Sequence, residues 1–198
     1  MVQYEILYYN IKKYSEIPPE QWEKLVSVLT PRKVEKGEIL LKAGEVATEA
    51  AFILRGGVRM YYVDEDGNES NHAFRFENQV MAGYPSLLSK LPSRYYIQTI
   101  EEGDLLTINY NEFLKFHDEH QCWERLSRVV AELNYLEKTE REYHFLMSDA
   151  AQRYMSLLQT QPEIIERVPQ YQLASFLGVT ASALNRVIKK LKAEGKVD

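Results

Sequence analysis

The stretch VPQYQLASFLGVTASALNRVIKKL, residues 168–191, carries the most specific pattern in this sequence. Leu173 and Ala174 fall on the inner side of a first helix, where the small alanine permits close approach of a second helix. Gly178 stands where a left-handed residue ends a helix, and Thr180 is a preferred N-cap for the helix that follows. The pattern predicts two helices joined by a tight turn.

The second helix of this pair, residues 180–194, is predicted to be amphipathic. Its apolar residues recur at the spacing of one buried stripe, and they are Leu184, Val187, Ile188 and Leu191. The opposite face carries small, polar and basic residues, namely Thr180, Ala181, Ser182, Asn185, Arg186, Lys189 and Lys190. Such side chains hydrogen-bond base edges and phosphates, and a helix about 10–12 Å wide fits the major groove. We therefore expect this helix to bind double-stranded DNA; a solvated amphipathic pair is the alternative.

Composition and charge are compatible with this expectation. The 198 residues suffice for one large and one small domain, and no apolar run is long enough for a membrane span. The N-terminus has no apolar signal-peptide core, and the single cysteine, Cys122, agrees with a reducing compartment. We expect a cytoplasmic protein. Residues 148–198 hold seven Lys and Arg against five Asp and Glu, whereas residues 1–147 hold 17 against 24, which indicates a basic module on an acidic body.

Residues 32–108 have the pattern of an all-β domain. A helix is predicted to begin at Pro18–Pro19, and about eight short, partly alternating runs with glycine-containing breaks then follow. Residues 64–68 form a hairpin turn in which Gly67 and Asn68 accept a positive φ. The spacing predicts a double-sheet jelly roll.

A helical pattern takes over after Asn109. A short helix at 111–116 precedes a long one at about 121–147, which contains neither Pro nor Gly. Positions of the long helix alternate in steps of three and four, forming an apolar seam of Leu126, Val129, Leu133, Leu136, Tyr143 and Met147 in which Glu140 fills the one gap. We expect this seam to form a homodimer interface, with packing on the chain's own β-domain as the alternative. Ser148 is the predicted N-cap of the next helix, and further helices begin near Pro162 and Pro169.

Two separated segments resemble the cyclic AMP receptor/FNR (Crp/Fnr) superfamily of bacterial transcription regulators. KGEILLKAGEVATEAAFILRGGVRMYYVDEDGNE, residues 36–69, resembles the first half of that family's β-roll, and residues 173–191 resemble its recognition motif. The resemblance implies an α+β protein with a cyclic-nucleotide-binding-type β-roll at 1–120, a dimerisation helix at 121–147 and a winged helix-turn-helix at 148–198. It also implies an inverted-repeat operator and makes RNA polymerase a candidate partner.

The resemblance assigns base contacts to Ala181, Ser182 and Arg186. Arg186 matches the arginine that reads a guanine, because a guanidinium fits O6 and N7. Ser182 replaces the glutamate common at that position, so we expect a different preferred sequence. The sequence reaches Asp198 where the family's wing would begin, and the wing is expected to be truncated.

The resemblance is weakest in the effector pocket. The ribose-binding glutamate is missing, and the phosphate-binding Arg-Ser pair appears in reverse order as Ser93-Arg94. A one-residue shift turns a strand side chain to the other face, so cyclic AMP is not expected as a ligand. Tyr84, Tyr95 and Tyr96, with Ser93 and Arg94, are candidates for lining a pocket for a flat or apolar effector, or else they fill the β-roll.

Two other classes of protein are alternatives to a DNA-binding regulator. A cupin-type metal enzyme would use the same roll, but His72 has no histidine partner at close spacing in the β region. His117, His120 and Cys122 are zinc ligands by type, but they are only three. Iron–sulfur sensing needs several cysteines. We expect no enzyme activity, metal or cofactor. A β-roll protein that binds an effector but not DNA is the other alternative, and the salt dependence of DNA retention would separate it from a DNA-binding regulator.

Overall fold

Two four-stranded sheets form the β-roll. The computed structural model describes residues 2–197, and within them the strands are β1 (Thr30–Val34), β2 (Ile39–Leu41), β3 (Glu49–Arg55), β4 (Val58–Val63), β5 (Glu69–Arg75), β6 (Val80–Ala82), β7 (Tyr96–Thr99) and β8 (Gly103–Asn109). One sheet has the order β1-β8-β3-β6 and the other β2-β7-β4-β5. This arrangement confirms the predicted eight-stranded double sheet.

Apolar residues of the strands are buried between the sheets. In the antiparallel β3–β8 pair, Ala51 lies opposite Thr107 and Ile53 opposite Leu105. Ile53 is completely buried, and Leu105 is 2% exposed. The β-branched and aliphatic side chains thus supply the hydrophobic core that fixes the register of the strands.

The chain divides into two compact units. The first contains residues 2–60 and 74–134, and the second contains residues 61–73 and 135–197. The division between the two units falls within the long helix, after Asn134. A segment of the β4–β5 hairpin also groups with the C-terminal helices.

The first unit also contains helices. They are α1 (Val2–Lys12), α2 (Pro19–Val28), α3 (Tyr84–Ser89), α4 (Tyr110–Glu119) and the beginning of α5 (Gln121–Met147). Trp123 of α5 is completely buried, and its indole N–H donates to Gln21 Oε1 at 2.9 Å. Leu126 is 7% exposed and belongs to the same hydrophobic core as Trp123. The bounds of α2 and α5 agree with the sequence prediction, whereas α1 was not predicted.

The second unit contains the end of α5 and four further helices, α6 (Ala150–Thr160), α7 (Pro162–Arg167), α8 (Gln170–Phe176) and α9 (Ala181–Ala193). Asp149, and not Ser148 as expected, is the N-cap of α6. Its carboxylate accepts from the Gln152 backbone N–H at 2.9 Å, and Gln152 Oε1 accepts from the Asp149 N–H at 2.8 Å. This reciprocal capping box satisfies two helix donors, whereas a serine hydroxyl one residue earlier would satisfy at most one.

The hairpin segment of the second unit is hydrogen-bonded to α8. The backbone N–H of Asn71 donates to Ser175 Oγ at 2.9 Å, and Ser175 Oγ donates to the carbonyl of Glu69 at 2.8 Å. In the turn itself Gly67 has a φ of 83°, as predicted. Asn68 does not share this conformation; its backbone N–H donates to Asp64 Oδ1 at 2.8 Å.

None of the helices within residues 2–197 has both the length and the apolar character that a bilayer-spanning segment requires.

Candidate nucleic-acid interface

A Schellman motif forms the turn between α8 and α9. The N–H of Val179 donates to the carbonyl of Ala174 at 3.0 Å, and the N–H of Gly178 donates to Ser175 O at 3.1 Å. These are the two hydrogen bonds that define the motif, and they require a left-handed residue at Gly178, whose φ is 70°. A Cβ at this position would lie 2.7 Å from the ring of Phe145, so glycine is required for space as well.

Thr180 caps α9 as the sequence predicts. Its φ and ψ are −75° and 156°, and its hydroxyl accepts from the backbone N–H of Ala183 at 3.2 Å. Thr180 Oγ1 also lies 3.1 Å from Ser182 Oγ. The cap fixes where the helix begins, and it places Ala181 and Ser182 in the first turn.

One face of α9 is anchored in the second unit. Leu184 is completely buried and Leu191 is 4% exposed, while Val187 and Ile188 are half-buried. The predicted stripe is therefore the packed face of the helix.

The other face of α9 is exposed to solvent. Every residue that the sequence assigned to DNA contact is exposed, namely Thr180, Ala181, Ser182, Asn185, Arg186, Lys189 and Lys190. The structure thus brings these seven side chains to one accessible surface, which we call the α9 face.

Positive charge on the α9 face is partly neutralised at one end. Glu194 lies 2.7 Å from Lys196 and 3.9 Å from Lys190, and the hydrogen bond from Lys196 lowers the pKa of its carboxyl group. In the described part of the chain, no ion pair involves Arg186 or Lys189. Their charges are accordingly available to an anionic partner.

Sequence reasoning missed one contact of this face. Nε2 of Gln170, the first residue of α8, donates to Oδ1 of Asn185 at 2.8 Å. The two residues are fifteen positions apart, and no periodicity within one helix relates them. The tight α8–α9 turn could have suggested their proximity, but not the hydrogen bond.

Two arginine side chains contact aromatic rings near the α8–α9 turn. The guanidinium carbon of Arg141 lies 4.1 Å from the ring centroid of Phe176 and 4.6 Å from that of Phe145. Arg153 lies 5.1 Å from the same Phe145 ring, and its Nε donates to the carbonyl of Leu177 at 3.0 Å. These contacts stabilise the end of α8, because they involve both the aromatic ring of Phe176 and the backbone carbonyl of Leu177.

Arg141 is largely withdrawn from water. Its Nη2 donates to Phe176 O at 2.9 Å and to Asn71 O at 3.4 Å. Desolvation lowers the pKa of Arg141 to about 10, so the guanidinium remains protonated at neutral pH. No local pattern in the sequence indicates this contact.

The long helix α5 carries exposed apolar residues along much of its length. Leu133 is 44% exposed, Leu136 61%, Tyr143 56% and Met147 68%. Val129 is half-buried. Leu126 was expected in the dimer interface, but its side chain is buried in the hydrophobic core of the first unit. The other residues of the seam form an apolar face that is exposed to solvent in a single chain.

The five residues predicted to line an effector pocket differ in their exposure to solvent. Tyr95 is buried and its hydroxyl donates to Ala82 O at 3.2 Å, and Ser93 is buried with its hydroxyl donating to Tyr95 O at 2.8 Å. Arg94 is exposed, whereas Tyr84 and Tyr96 are half-buried. The serine and the buried tyrosine thus satisfy their polar groups within the protein.

A small cavity lies in the β-roll. Its volume is about 140 Å³, and its lining includes Leu41, Ala47, Met81, Gly83 and Ile97, but none of the five assigned residues. Pockets for drug-sized ligands begin near about 300 Å³. The cavity is below this range.

The candidate metal ligands are placed as follows. His117 Nε2 lies 2.9 Å from Ser127 Oγ, and His120 Nδ1 accepts from the backbone N–H of Cys122 at 3.2 Å. Cys122 is buried, which raises the pKa of its thiol. Across residues 2–197, no three His, Cys, Asp or Glu side chains form a group that could hold a metal ion.

Comparison with known proteins identifies the β-roll. Residues 31–120 match the cyclic nucleotide-binding domain family. No curated protein matches the sequence.

Among solved structures, the chain is similar to FixK2 from Bradyrhizobium japonicum, with a TM-score of 0.69 and 20% identity over 85% of this chain and 86% of that one. A protein from Eubacterium rectale assigned to the crp/fnr family gives a TM-score of 0.73 and 15% identity over 92% and 87%. CLP from Xanthomonas campestris, a c-di-GMP responsive global regulator, gives a TM-score of 0.67 and 19% identity over 87% of this chain and 91% of that one. These likenesses confirm the fold that the resemblance implied.

Proposed function

We propose, from the premise that this chain has a cyclic nucleotide-binding-type domain and a Crp/Fnr fold, that it is a DNA-binding transcription regulator. The observation that carries the proposal is the α9 face, where polar and basic side chains are exposed on a helix whose opposite side is buried. A helix anchored in this way can enter a major groove without unfolding.

Arg186 and Lys189 give this face its affinity for nucleic acid. Neither is held by an ion pair within the described residues, so binding to DNA breaks no existing pair and releases counterions from the phosphates. A free guanidinium can also bind the O6 and N7 atoms of guanine. Ala181 and Ser182, in the first turn, are short enough to let the helix approach the bases.

The regulator acts as a homodimer paired through α5. Four side chains of its seam, Leu133, Leu136, Tyr143 and Met147, are each at least 44% exposed in one chain, and burying them in a second copy removes that surface from water. A two-fold dimer presents two α9 faces about 34 Å apart, which matches an inverted repeat with one helical turn between half-sites.

The β-roll is the regulatory part of this proposal. Because the Ser93-Arg94 pair stands in reverse order and Arg94 is exposed, cyclic AMP is not the proposed ligand. The effector is a small molecule of another class, and RNA polymerase is the proposed partner at promoters. The chain has no proposed catalytic role, and we propose that it works in the cytoplasm.

The test is selection of duplexes from a random library by the full-length protein, followed by fluorescence anisotropy at several salt concentrations. We expect an enriched inverted repeat and a log–log salt slope of roughly −0.9 per phosphate contacted. Ala substitution of both Arg186 and Lys189 should abolish enrichment, whereas the same change at the exposed Lys115 of α4 should not. Weak binding that ignores both sequence and salt would contradict the proposal.

A further inference from the structure

We propose that the α5 homodimer takes up protons when it forms, so that acidification strengthens it. This inference rests on the proposed function and adds a form of regulation to its dimer. The observations behind it are the position of one carboxylate, Glu140, within the apolar seam and the distance of 3.2 Å from Glu140 Oε1 to His144 Nε2.

Glu140 occupies a seam position that apolar residues fill one heptad earlier and one heptad later. Leu133 precedes it by seven residues and Met147 follows it by seven, and these two side chains are 44% and 68% exposed in the single chain. Residues seven apart lie on the same face of a coiled-coil helix. The side chain of Glu140 is 71% exposed, so a second copy packed on the seam withdraws a carboxylate from water.

The two copies of α5 have to run parallel in the proposed regulator. The C-terminal end of α5 leads into α6–α9, so two α9 faces reach adjacent half-sites only when both copies of α5 point the same way. In a parallel two-fold pair, each seam residue faces its own copy. Glu140 therefore faces Glu140 of the partner subunit, and two such carboxylates repel each other unless a proton or a positive charge compensates them.

His144 supplies a group that can carry this positive charge. It lies one helical turn after Glu140, and its Nδ1 lies 3.1 Å from Ser148 Oγ. On α6, the neutral Ser156 faces the ring, with its Oγ 3.3 Å from Nε2. Hydroxyl groups accept from an imidazolium and donate to a neutral imidazole, so the surroundings of His144 suit both protonation states. Histidine changes its charge between about pH 5 and pH 8, which includes the pH of a cell interior.

Other charged groups near the seam do not replace His144 in this role. Glu137, one turn before Glu140, adds a further negative charge. Arg141 interacts with Glu137, but its Nη2 donates to a backbone carbonyl of α8. Arg153 of α6 donates from Nε to the carbonyl of the residue that follows α8. The repulsion between the two Glu140 carboxylates is therefore relieved most directly by protonation of the Glu140–His144 pair.

Sedimentation equilibrium of the full-length protein between about pH 8 and about pH 6 tests the proposal, because histidine changes its charge in this range. A dimer that binds about one proton more than two separate chains should have an association constant that rises about tenfold for each unit by which the pH falls. Glu140→Gln keeps the shape of the side chain and removes its charge. This variant should form a dimer that is tighter than the wild type at the alkaline end and nearly independent of pH.

Two further variants assign the effect. Glu142→Gln is the matched control, because Glu142 is exposed and, two positions from Glu140, projects from another side of the helix; it should keep the wild-type rise. His144→Gln should lose most of the rise and should form a weaker dimer than the wild type at the acidic end. Circular dichroism of each variant verifies that the chain remains folded.

The outcomes separate this inference from the proposed function. A wild-type dimer with the same association constant throughout the pH range would overturn the inference and leave the homodimer standing. A rise in Glu140→Gln or in His144→Gln as steep as in the wild type would also overturn it, because the proton would then bind elsewhere. A protein that stays monomeric at every pH would remove the homodimer of the proposed function together with this inference.

Discussion

Arg141 stacks on the ring of Phe176 at 4.1 Å and donates to the carbonyl of the same residue at 2.9 Å. One side chain of α5 thus holds both the apolar and the polar part of the last residue of α8. Because α8 and α9 are joined by a tight turn, this contact determines how rigidly the α9 face is held.

Loss of this contact should destabilise the second unit. Arg141→Ala removes two stacking contacts and leaves the carbonyls of Phe176 and Asn71 without their donor, at a cost of about 2–3 kcal/mol. Urea unfolding followed by circular dichroism measures the change. The matched control is Arg128→Ala on the same helix, an exposed residue paired with Glu132, which should cost below about 1 kcal/mol. Equal losses in the two variants would contradict the role of Arg141.

Gly178 should tolerate alanine less well than Gly195 does. Both glycines have a positive φ, 70° and 66°, so alanine is strained at either position by about 1 kcal/mol. At Gly178 the new Cβ also meets Phe145 at 2.7 Å, whereas nothing lies within 4 Å at Gly195. We expect Gly178→Ala to cost about 1–2 kcal/mol more than Gly195→Ala in urea unfolding. Indistinguishable midpoints would mean that Phe145 moves aside freely.

Arg186 and Lys189 should differ in what their loss does to DNA binding. Arg186→Ala should weaken binding to the selected site by about 1–3 kcal/mol and relax the preference at one base position. Lys189→Ala should instead weaken binding to all sequences alike and reduce the magnitude of the salt slope by about one. Anisotropy titrations on the selected site and on single-base variants measure both effects. An unchanged sequence preference in Arg186→Ala would show that another residue reads that base.

The apolar seam of α5 should determine the oligomeric state. Leu136 is 61% exposed in the single chain, so Leu136→Asp should leave the protein folded but place an unpaired carboxylate in the interface and yield monomers. Leu88→Asp is the control, because Leu88 is 58% exposed on α3, outside the seam. Sedimentation equilibrium should give half the mass for the first variant and the wild-type mass for the second. Dimers that persist in Leu136→Asp would refute the seam.

Elements with a strong local pattern could be predicted from the sequence. The long helix α5 begins and ends at the predicted residues, because a run without Pro or Gly has few alternatives. The α8–α9 turn was also predictable, because Gly178 and Thr180 each satisfy a local requirement of the backbone. Asp149 was missed because Ser148 is an equally acceptable cap until the reciprocal bond with Gln152 is seen.

Features that depend on distant parts of the chain could not be predicted in this way. Leu126 follows the same periodicity as Leu133, yet Leu126 packs with Trp123 in the hydrophobic core of the first unit, whereas Leu133 is 44% exposed. The Gln170–Asn185 bond and the burial of Arg141 likewise depend on packing between helices. The helix α1 escaped prediction because its buried residues, Leu7 and Ile11, give a weak pattern among tyrosines.

The grouping of residues 61–73 with residues 135–197 bears on how such proteins diverge. A recombination event that replaced residues 148–198 alone would bring in a new partner for Asn71 in place of Ser175, and a new carbonyl for Arg141 in place of Phe176. Changes of function would then arise more readily through point changes on the surface of α9 than through exchange of the whole segment. The hairpin and the C-terminal helices should therefore be inherited together.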